Sequence, residues 1–229
     1  MRIRLFCAEN SAIFVGKRVV FLRGHETIRA LVLAAGLSRR MGEFKPLLPL
    51  RGKTLIENSV GSALSGGAET AVVVTGCRAD EVEAVLRRAF GGRVAFVRNP
   101  DFAATDMLRS VRLGASALPA CDAFFLLPGD MPVVAKGTFD KLLAAREGEK
   151  APVIFPTLGG CRRHPPLIDA RLIPAIRAFD GADGLRGLWR RYEKDVLTVP
   201  VDDEGVALDL DTPDDYETCK QTYEEQREV

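Results

Sequence analysis

The residues best suited to chemistry stand in a few short stretches. The first runs Leu31-Val32-Leu33-Ala34-Ala35-Gly36-Leu37-Ser38-Arg39-Arg40-Met41-Gly42-Glu43-Phe44-Lys45-Pro46, an apolar run that passes into small residues and then three bases. Small residues let backbone N–H groups approach a phosphate chain, and Arg40 and Lys45 would neutralise it. Spacing excludes two familiar phosphate loops. The dinucleotide pattern G-x-G-x-x-G is absent, because Leu37 and Ser38 follow Gly36. Gly52-Lys53-Thr54 imitates the end of a P-loop, but the glycine that loop requires at position 47 is Leu47. Taken without its motif, the stretch reads equally as a strand followed by a surface turn with solvated arginines.

Two further stretches carry carboxylates. In Phe124-Phe125-Leu126-Leu127-Pro128-Gly129-Asp130-Met131-Pro132, Pro128 and Gly129 end an apolar run and leave Asp130 directly beyond it. In Leu208-Asp209-Leu210-Asp211-Thr212-Pro213-Asp214-Asp215, Asp209 and Asp211 alternate as on one strand face, and Thr212-Pro213 starts a helix. Mg²⁺ takes one or two carboxylates together with water and substrate phosphates, so both stretches offer carboxylates that suit it. The plainer readings are an Asx turn at Asp130 and acidic capping of a helix N-terminus by Asp214 and Asp215.

The pattern L-A-A-G-x-S-x-R-M-G-x-x-K-P, Leu33 to Pro46, resembles the opening signature of nucleotidyltransferases. It is most similar to the MobA-like NTP transferases, in their molybdenum cofactor cytidylyltransferase group. The resemblance spans about Ile28 to Tyr216. It implies a Rossmann-like three-layer α/β/α fold with a mostly parallel sheet, and transfer of a nucleotide, CMP from CTP, to molybdopterin cofactor with release of pyrophosphate. It places Leu33, Ala34, Ala35 and Gly36 at the nucleotide, and Arg40 and Lys45 on its β and γ phosphates. Asp130, in L-x-x-D-M-P, and Asp211, in D-x-D-T-P, become the magnesium ligands, with Asp211 preferred over Asp209. No protein nucleophile is implied. The double alanine leans towards the cytidylyl branch, since the guanylyl branch usually carries L-A-G-G.

The resemblance also assigns weaker positions. Ser110, in Ser110-Val111-Arg112-Leu113-Gly114, matches the serine that helps read the base, although Asp106, Leu108 and Arg109 replace the family's glycine and serines. Thr75, in Val74-Thr75-Gly76, would line the base pocket through its backbone. Gly160-Cys161-Arg162-Arg163-His164-Pro165 is similar to G-x-x-G-H-P, which approaches the acceptor, but Arg163 stands where the last glycine belongs. That exchanges a residue free to take positive φ for a bulky cation. His164 reads equally as a histidine satisfied within a turn. Asp183 and Arg186 match G-D-x-G-x-R on the acceptor side. The partners implied are the nucleoside triphosphate, a molybdopterin-type acceptor, and a molybdoenzyme or maturation protein. Two rivals remain: GTP or another phosphorylated acceptor with the same chemistry, and a non-catalytic nucleotide- or cofactor-binding maturation protein.

Elements must position these residues, and the hydrophobic pattern supplies them. Ile28 to Ala35, Ala71 to Thr75, Val94 to Val97 and Ala123 to Leu127 read as buried strands, with Pro152 to Phe155 as a fifth. Between them Leu55 to Leu64, Ala79 to Phe90, Asp106 to Leu118 and Thr138 to Arg146 carry apolar residues at helical spacing. Such alternation predicts βαβ units on a parallel sheet, with ligands at the strand C-termini. Thr212 to Glu228 reads as a solvated helix, and Trp189 as a packed core residue. Residues 28–229 are expected to form the transferase domain. Residues 1–27 read as an N-terminal extension, a hairpin around Gly16-Lys17 or a tail, with His25 exposed and uninvolved.

Composition sets the outer limits. With 229 residues, 47% hydrophobic and 28% charged, the chain suits one soluble globular domain. A net charge of +1 argues against partners held by bulk charge, so neither nucleic acid nor membrane is expected. No apolar run approaches the length of about 18 residues that spans a bilayer. Five scattered cysteines without a C-x-x-C form neither a disulfide framework nor a zinc site. The basic start is broken by Glu9 and Asn10 and makes a poor signal peptide, so a cytoplasmic location is expected. The near-neutral total hides unequal parts. Gly36 to Lys53 has five bases against one acid, whereas from Asp202 onward eleven acids face two bases.

Overall fold

The computed structural model describes residues 11–15, 18–22, 26–104, 106–181 and 183–224. β1 (Ser11–Val15) and β2 (Arg18–Leu22) pair antiparallel, as a hairpin does; His25 lies outside the described residues. The first buried run becomes β3 (Ile28–Ala34). A short ribbon, β4 (Pro49–Leu50) with β5 (Lys53–Thr54), leads from it into α1 (Leu55–Ser65). Then β6 (Thr70–Thr75), α2 (Ala79–Phe90), β7 (Val94–Arg98), α3 (Met107–Ala117), β8 (Ala123–Pro128) and α4 (Lys136–Gly148) continue the alternation. β9 (Val153–Leu158), β10 (Cys161–Arg162), β11 (Leu167–Asp169), α5 (Ile173–Ala178), α6 (Gly184–Arg191), β12 (Val196–Pro200) and α7 (Pro213–Glu224) complete the described chain.

The central sheet runs β10-β9-β11-β8-β3-β6-β7, with β12 added to β9. β7, β6, β3 and β8 are parallel, as are β9 and β12; β10 and β11 run against their neighbours. Burial on both faces explains why the strands are apolar at nearly every position. Along β3, Ala30, Val32 and Ala34 enter the core layer under α1, α2 and α4, while Leu31 faces the layer under α3, α5 and α6. β8 alternates the same way, with Phe125 packing edge-on against Phe139 of α4 and Phe124 on the opposite side. Burying a side chain of this size contributes about 1.5–3 kcal/mol. The result is a three-layer α/β/α, Rossmann-like fold with a mostly parallel sheet.

Helix starts follow local chemistry. Thr54 and Glu57 form a capping box on α1: the Glu57 N–H donates to Thr54 Oγ1 at 3.3 Å, and the Thr54 N–H to Glu57 Oε2 at 2.7 Å. Thr212 and Asp215 do the same for α7. The stretch holding Asp209 and Asp211 is not a strand, as its alternation suggested, but a connection without regular secondary structure between a 3-10 turn (Glu204–Val206) and α7. Among the described residues, no helix is long and apolar enough to cross a membrane.

Candidate active site

Strand order reverses around β3, which has β6 on one side and β8 on the other. At such a switch point the connections leave in opposite directions and open a crevice beyond the strand ends. The loop after β3 enters that crevice. Ser38 takes a left-handed conformation with φ +52°, and its Oγ accepts the Lys45 N–H at 3.1 Å. The Met41 N–H returns to the Ser38 carbonyl at 3.1 Å, so one residue folds the loop and fixes where Lys45 begins. Met41, Leu48, Leu50 and Leu55 then pack with Leu210, Tyr216 and Cys219, and Tyr216 donates from its hydroxyl to the Pro49 carbonyl. This small third cluster clamps α7 beneath the loop and carries Asp211 to the cavity wall.

Asp130 arrives from the other side. The Gly129 N–H donates to the Leu33 carbonyl at 2.8 Å, crossing the tip of β3. A Cβ at Gly129 would lie 2.8 Å from both that oxygen and Ile56, so only glycine allows this approach. The three elements bring their charges together. Lys45 Nζ lies 2.9 Å from Asp130 Oδ2 and 3.4 Å from Asp211 Oδ1, and the Arg40 guanidinium reaches Asp211 Oδ2 at 2.8 Å. Lys45 is only 8% exposed, while Arg40 reaches in from solvent. Asp209 stands nearby; burial and the Asp211 charge push its carboxyl above the usual range, with Lys45 opposing.

These groups border a cavity of about 350 Å³ at the strand C-termini. Of the residues singled out in the sequence, Leu33, Ala34, Ala35, Gly36, Arg40, Lys45, Ser110, Asp130 and Asp211 line it. Phe102, Asp106 and Met107 close the far side; Asp106 and Met107 stand in the stretch that leads to Ser110, and no motif marked Phe102. The signal for Phe102 was Gly76: a Cβ there would fall 2.7 Å from Phe102 and 2.8 Å from the Ala35 carbonyl. Met107 is the exposed large hydrophobic residue among those described, and it sits on the cavity rim. The donor set fits Mg²⁺. Among the described residues no three His, Cys, Asp or Glu side chains group to hold a metal, but two carboxylates already converge on one cation, Lys45. Two carboxylates completed by substrate oxygens is the arrangement this ion prefers.

Residues 30–196 match the family model of the MobA-like NTP transferase domain. The chain belongs to the MobA-like NTP transferase family. This MobA-like chain is 32% identical over 199 residues to the molybdenum cofactor cytidylyltransferase of Escherichia coli (strain K12), covering 86% of this chain and 98% of that one. It is 31% identical over 192 residues to nicotine blue oxidoreductase of Paenarthrobacter nicotinovorans, covering 81% and 92%. A Methanothermobacter nucleotidyl transferase superposes with a TM-score of 0.74 at 27% identity, covering 87% of this chain and 99% of that structure. Fold and family are those of nucleotidyltransferase enzymes.

Four residues that the MobA-like pattern placed at the ligand lie off the cavity wall. Thr75 is fully buried. Its hydroxyl donates to Glu83 Oε1 at 3.1 Å and its carbonyl accepts from the Asn99 N–H at 2.8 Å, so both are engaged within the fold. His164 lies in the limb returning between β9 and β8, with Nδ1 3.4 Å from the Leu126 carbonyl. Burial lowers its pKa, while that carbonyl and the Asp130 charge oppose the shift. Asp183 pairs with Arg190 on α6, and Arg186 is exposed on the same helix. Beside His164, the Arg163 Nε is buried with no hydrogen-bond partner among the described residues.

Proposed function

We propose that this chain is a Mg²⁺-dependent cytidylyltransferase that moves CMP from CTP to the phosphate of a molybdopterin-type cofactor. The observation that carries the reading is the Lys45 ammonium held between Asp130 and Asp211 on the wall of the switch-point cavity. The 32% identity to a cytidylyltransferase over most of both chains supports the choice of CTP and of acceptor. The transferase domain is taken as residues 28–229, with 1–27 as an extension, and the enzyme as cytoplasmic.

In the reaction an acceptor phosphate oxygen attacks the α-phosphorus in line. The bond to the bridging β-phosphate oxygen breaks, and pyrophosphate leaves with the electron pair. Backbone N–H groups of Ala34, Ala35 and Gly36 cradle the phosphate chain. Lys45 and Arg40 stabilise the charge that accumulates on the leaving pyrophosphate. Asp130 and Asp211 would hold Mg²⁺, which supplies charge neutralisation on the phosphate oxygens and fixes their geometry. Ser38 acts at one remove by fixing the Lys45 backbone.

The test is pyrophosphate release from protein, Mg²⁺, molybdopterin cofactor and each nucleoside triphosphate in turn. CTP should support turnover, and the D130A variant should abolish it while remaining folded. Turnover with GTP alone would move the chain to the guanylyl branch. No release with any nucleotide would make it a binding protein, and undiminished turnover in D130A would remove Asp130 from the mechanism.

A further inference from the structure

We propose that Asn99 is a positioning residue that commits the Ser110 hydroxyl to donate a hydrogen bond to the nucleobase, so that the cavity selects a base edge presenting a carbonyl oxygen or ring nitrogen there. This inference rests on reading the cavity as a nucleotide site. Asn99 follows β7 and is only 2% exposed. Its backbone N–H is tied to the Thr75 carbonyl at the end of β6, at 2.8 Å. Its side-chain Oδ1 accepts the Asp101 N–H at 3.1 Å, which settles the orientation of the amide: reversed, two donors would face each other. Nδ2 therefore points at Ser110 and donates to its Oγ at 3.1 Å.

A serine hydroxyl has one hydrogen to give and two lone pairs with which to accept. Asn99 occupies a lone pair and offers nothing that could accept the hydrogen. A helical serine usually sends that hydrogen to the carbonyl four residues back. Ser59 and Ser116 do so in this chain, at 3.0 and 2.8 Å. Ser110 makes no such bond among the described residues. Its hydrogen is left for whatever fills the cavity, on whose wall Ser110 lies with Phe102 and Met107. An aromatic ring and a thioether offer apolar contact to a planar base, and the oriented hydroxyl adds the polar selection. Cytosine meets the requirement with its O2 and N3. A site built to donate in this way penalises a ligand that leaves the donor unpaired.

The experiment titrates the four common nucleoside triphosphates and inorganic tripolyphosphate, each with Mg²⁺, against wild type, Asn99→Asp, Ser110→Ala and the double variant. Aspartate keeps the shape and the acceptor for the Asp101 N–H, but turns an acceptor towards Ser110 and draws its hydrogen away from the base. In both single variants affinity for the best-bound nucleotide should fall about tenfold, with tripolyphosphate binding unchanged. The double variant should be no weaker than either single one, because both remove the same hydrogen bond. An Asn99→Asp protein that keeps the wild-type ratio of nucleotide to tripolyphosphate affinity overturns the inference. Equal loss of both ligands overturns it too, by making Asn99 merely structural. Wild-type protein that binds no nucleotide more tightly than tripolyphosphate overturns the nucleotide reading itself.

Discussion

Two clusters in this molecule have nearly the same composition, a buried base between two carboxylates, at opposite ends of the same strands. At the C-terminal end Lys45 meets Asp130 and Asp211. At the N-terminal end Arg146 of α4 meets Glu26, just before β3, and Asp169, at the end of β11. The difference is saturation. The Arg146 Nε donates to Glu26 Oε2, one terminal nitrogen to Asp169 Oδ2 and the other to the Asp122 carbonyl, all within 3.0 Å. The planar guanidinium is used on every side, and it fixes three elements to one another. Lys45 has one close partner at 2.9 Å and a second at 3.4 Å, and its carboxylates are about a third exposed to the cavity. One cluster leaves its charges open to the cavity, whereas the other uses them to join elements of the fold.

The contrast is broken most forcefully by removing the two bases. Lys45→Met should cut pyrophosphate release by about a thousandfold, since it removes charge offset in the transition state. The fold should survive, because Asp130 and Asp211 can be hydrated through the cavity. A thermal midpoint close to wild type beside a collapsed rate is the expected pair of readings. Unfolding in step with the rate would show that Lys45 is a structural residue.

Arg146→Met should give the opposite pair. It removes the nearer of the two guanidinium groups facing Asp169, whose side chain is only 12% exposed, and leaves the Asp122 carbonyl with the Ala170 N–H as its remaining donor. Losing one partner of a buried pair costs about 3–5 kcal/mol. Denaturant unfolding should register that loss, with turnover per folded molecule unchanged. A variant as stable as wild type would mean that water replaces the guanidinium.

The two clusters also differ in how far the chain announces them. Small residues and bases directly after an apolar run marked the loop that lines the cavity, and Pro128-Gly129 marked the turn that brings Asp130 to it. Two-sided burial made β3, β6 and β8 readable, because each is a nearly unbroken apolar run, and β7 was readable as a shorter apolar run although it lies at the sheet edge and is only partly buried. Asp211 could be assigned by its motif, but its approach to Lys45 depends on Leu210 and Tyr216 packing under the loop, a contact between distant segments. Thr75 lies away from the cavity wall for a related reason. Strand alternation puts its hydroxyl on the α2 side, where Glu83 waits as a partner that no local pattern pairs with it. Asp183 had a readable warning, since Arg190 stands two helical turns later on the same face of α6. The returning limb of β10 and β11 was missed because its paired segments are two and three residues long, separated by Pro165 and Pro166. Asn99 carries no catalytic signature, and only the direction of its hydrogen bonds gives it a role.

The smallest effect sharpens the fold-side cluster through pH. Burial alone would raise the Glu26 carboxyl, but hydrogen bonds from Lys150 and Arg146 and their charges outweigh it and hold the pKa below its ordinary 4.5. A carboxyl depressed in the folded state adds stability that is complete above its unfolded value, and that is lost as pH falls through the folded value. Glu26→Gln should therefore be less stable than wild type at pH 7. Because Glu26 is partly exposed, the difference should not exceed about 1 kcal/mol. The gap should narrow as the pH falls below about 4.5, where Glu26 takes up a proton in the unfolded chain while the folded carboxyl is still ionised, and should close once the pH passes below the depressed folded value. Urea midpoints of both proteins from neutral to acid pH would follow it. A gap that stays constant would locate the contribution of Glu26 in packing rather than in charge, and would leave Asp169 as the sole anionic partner that matters to Arg146.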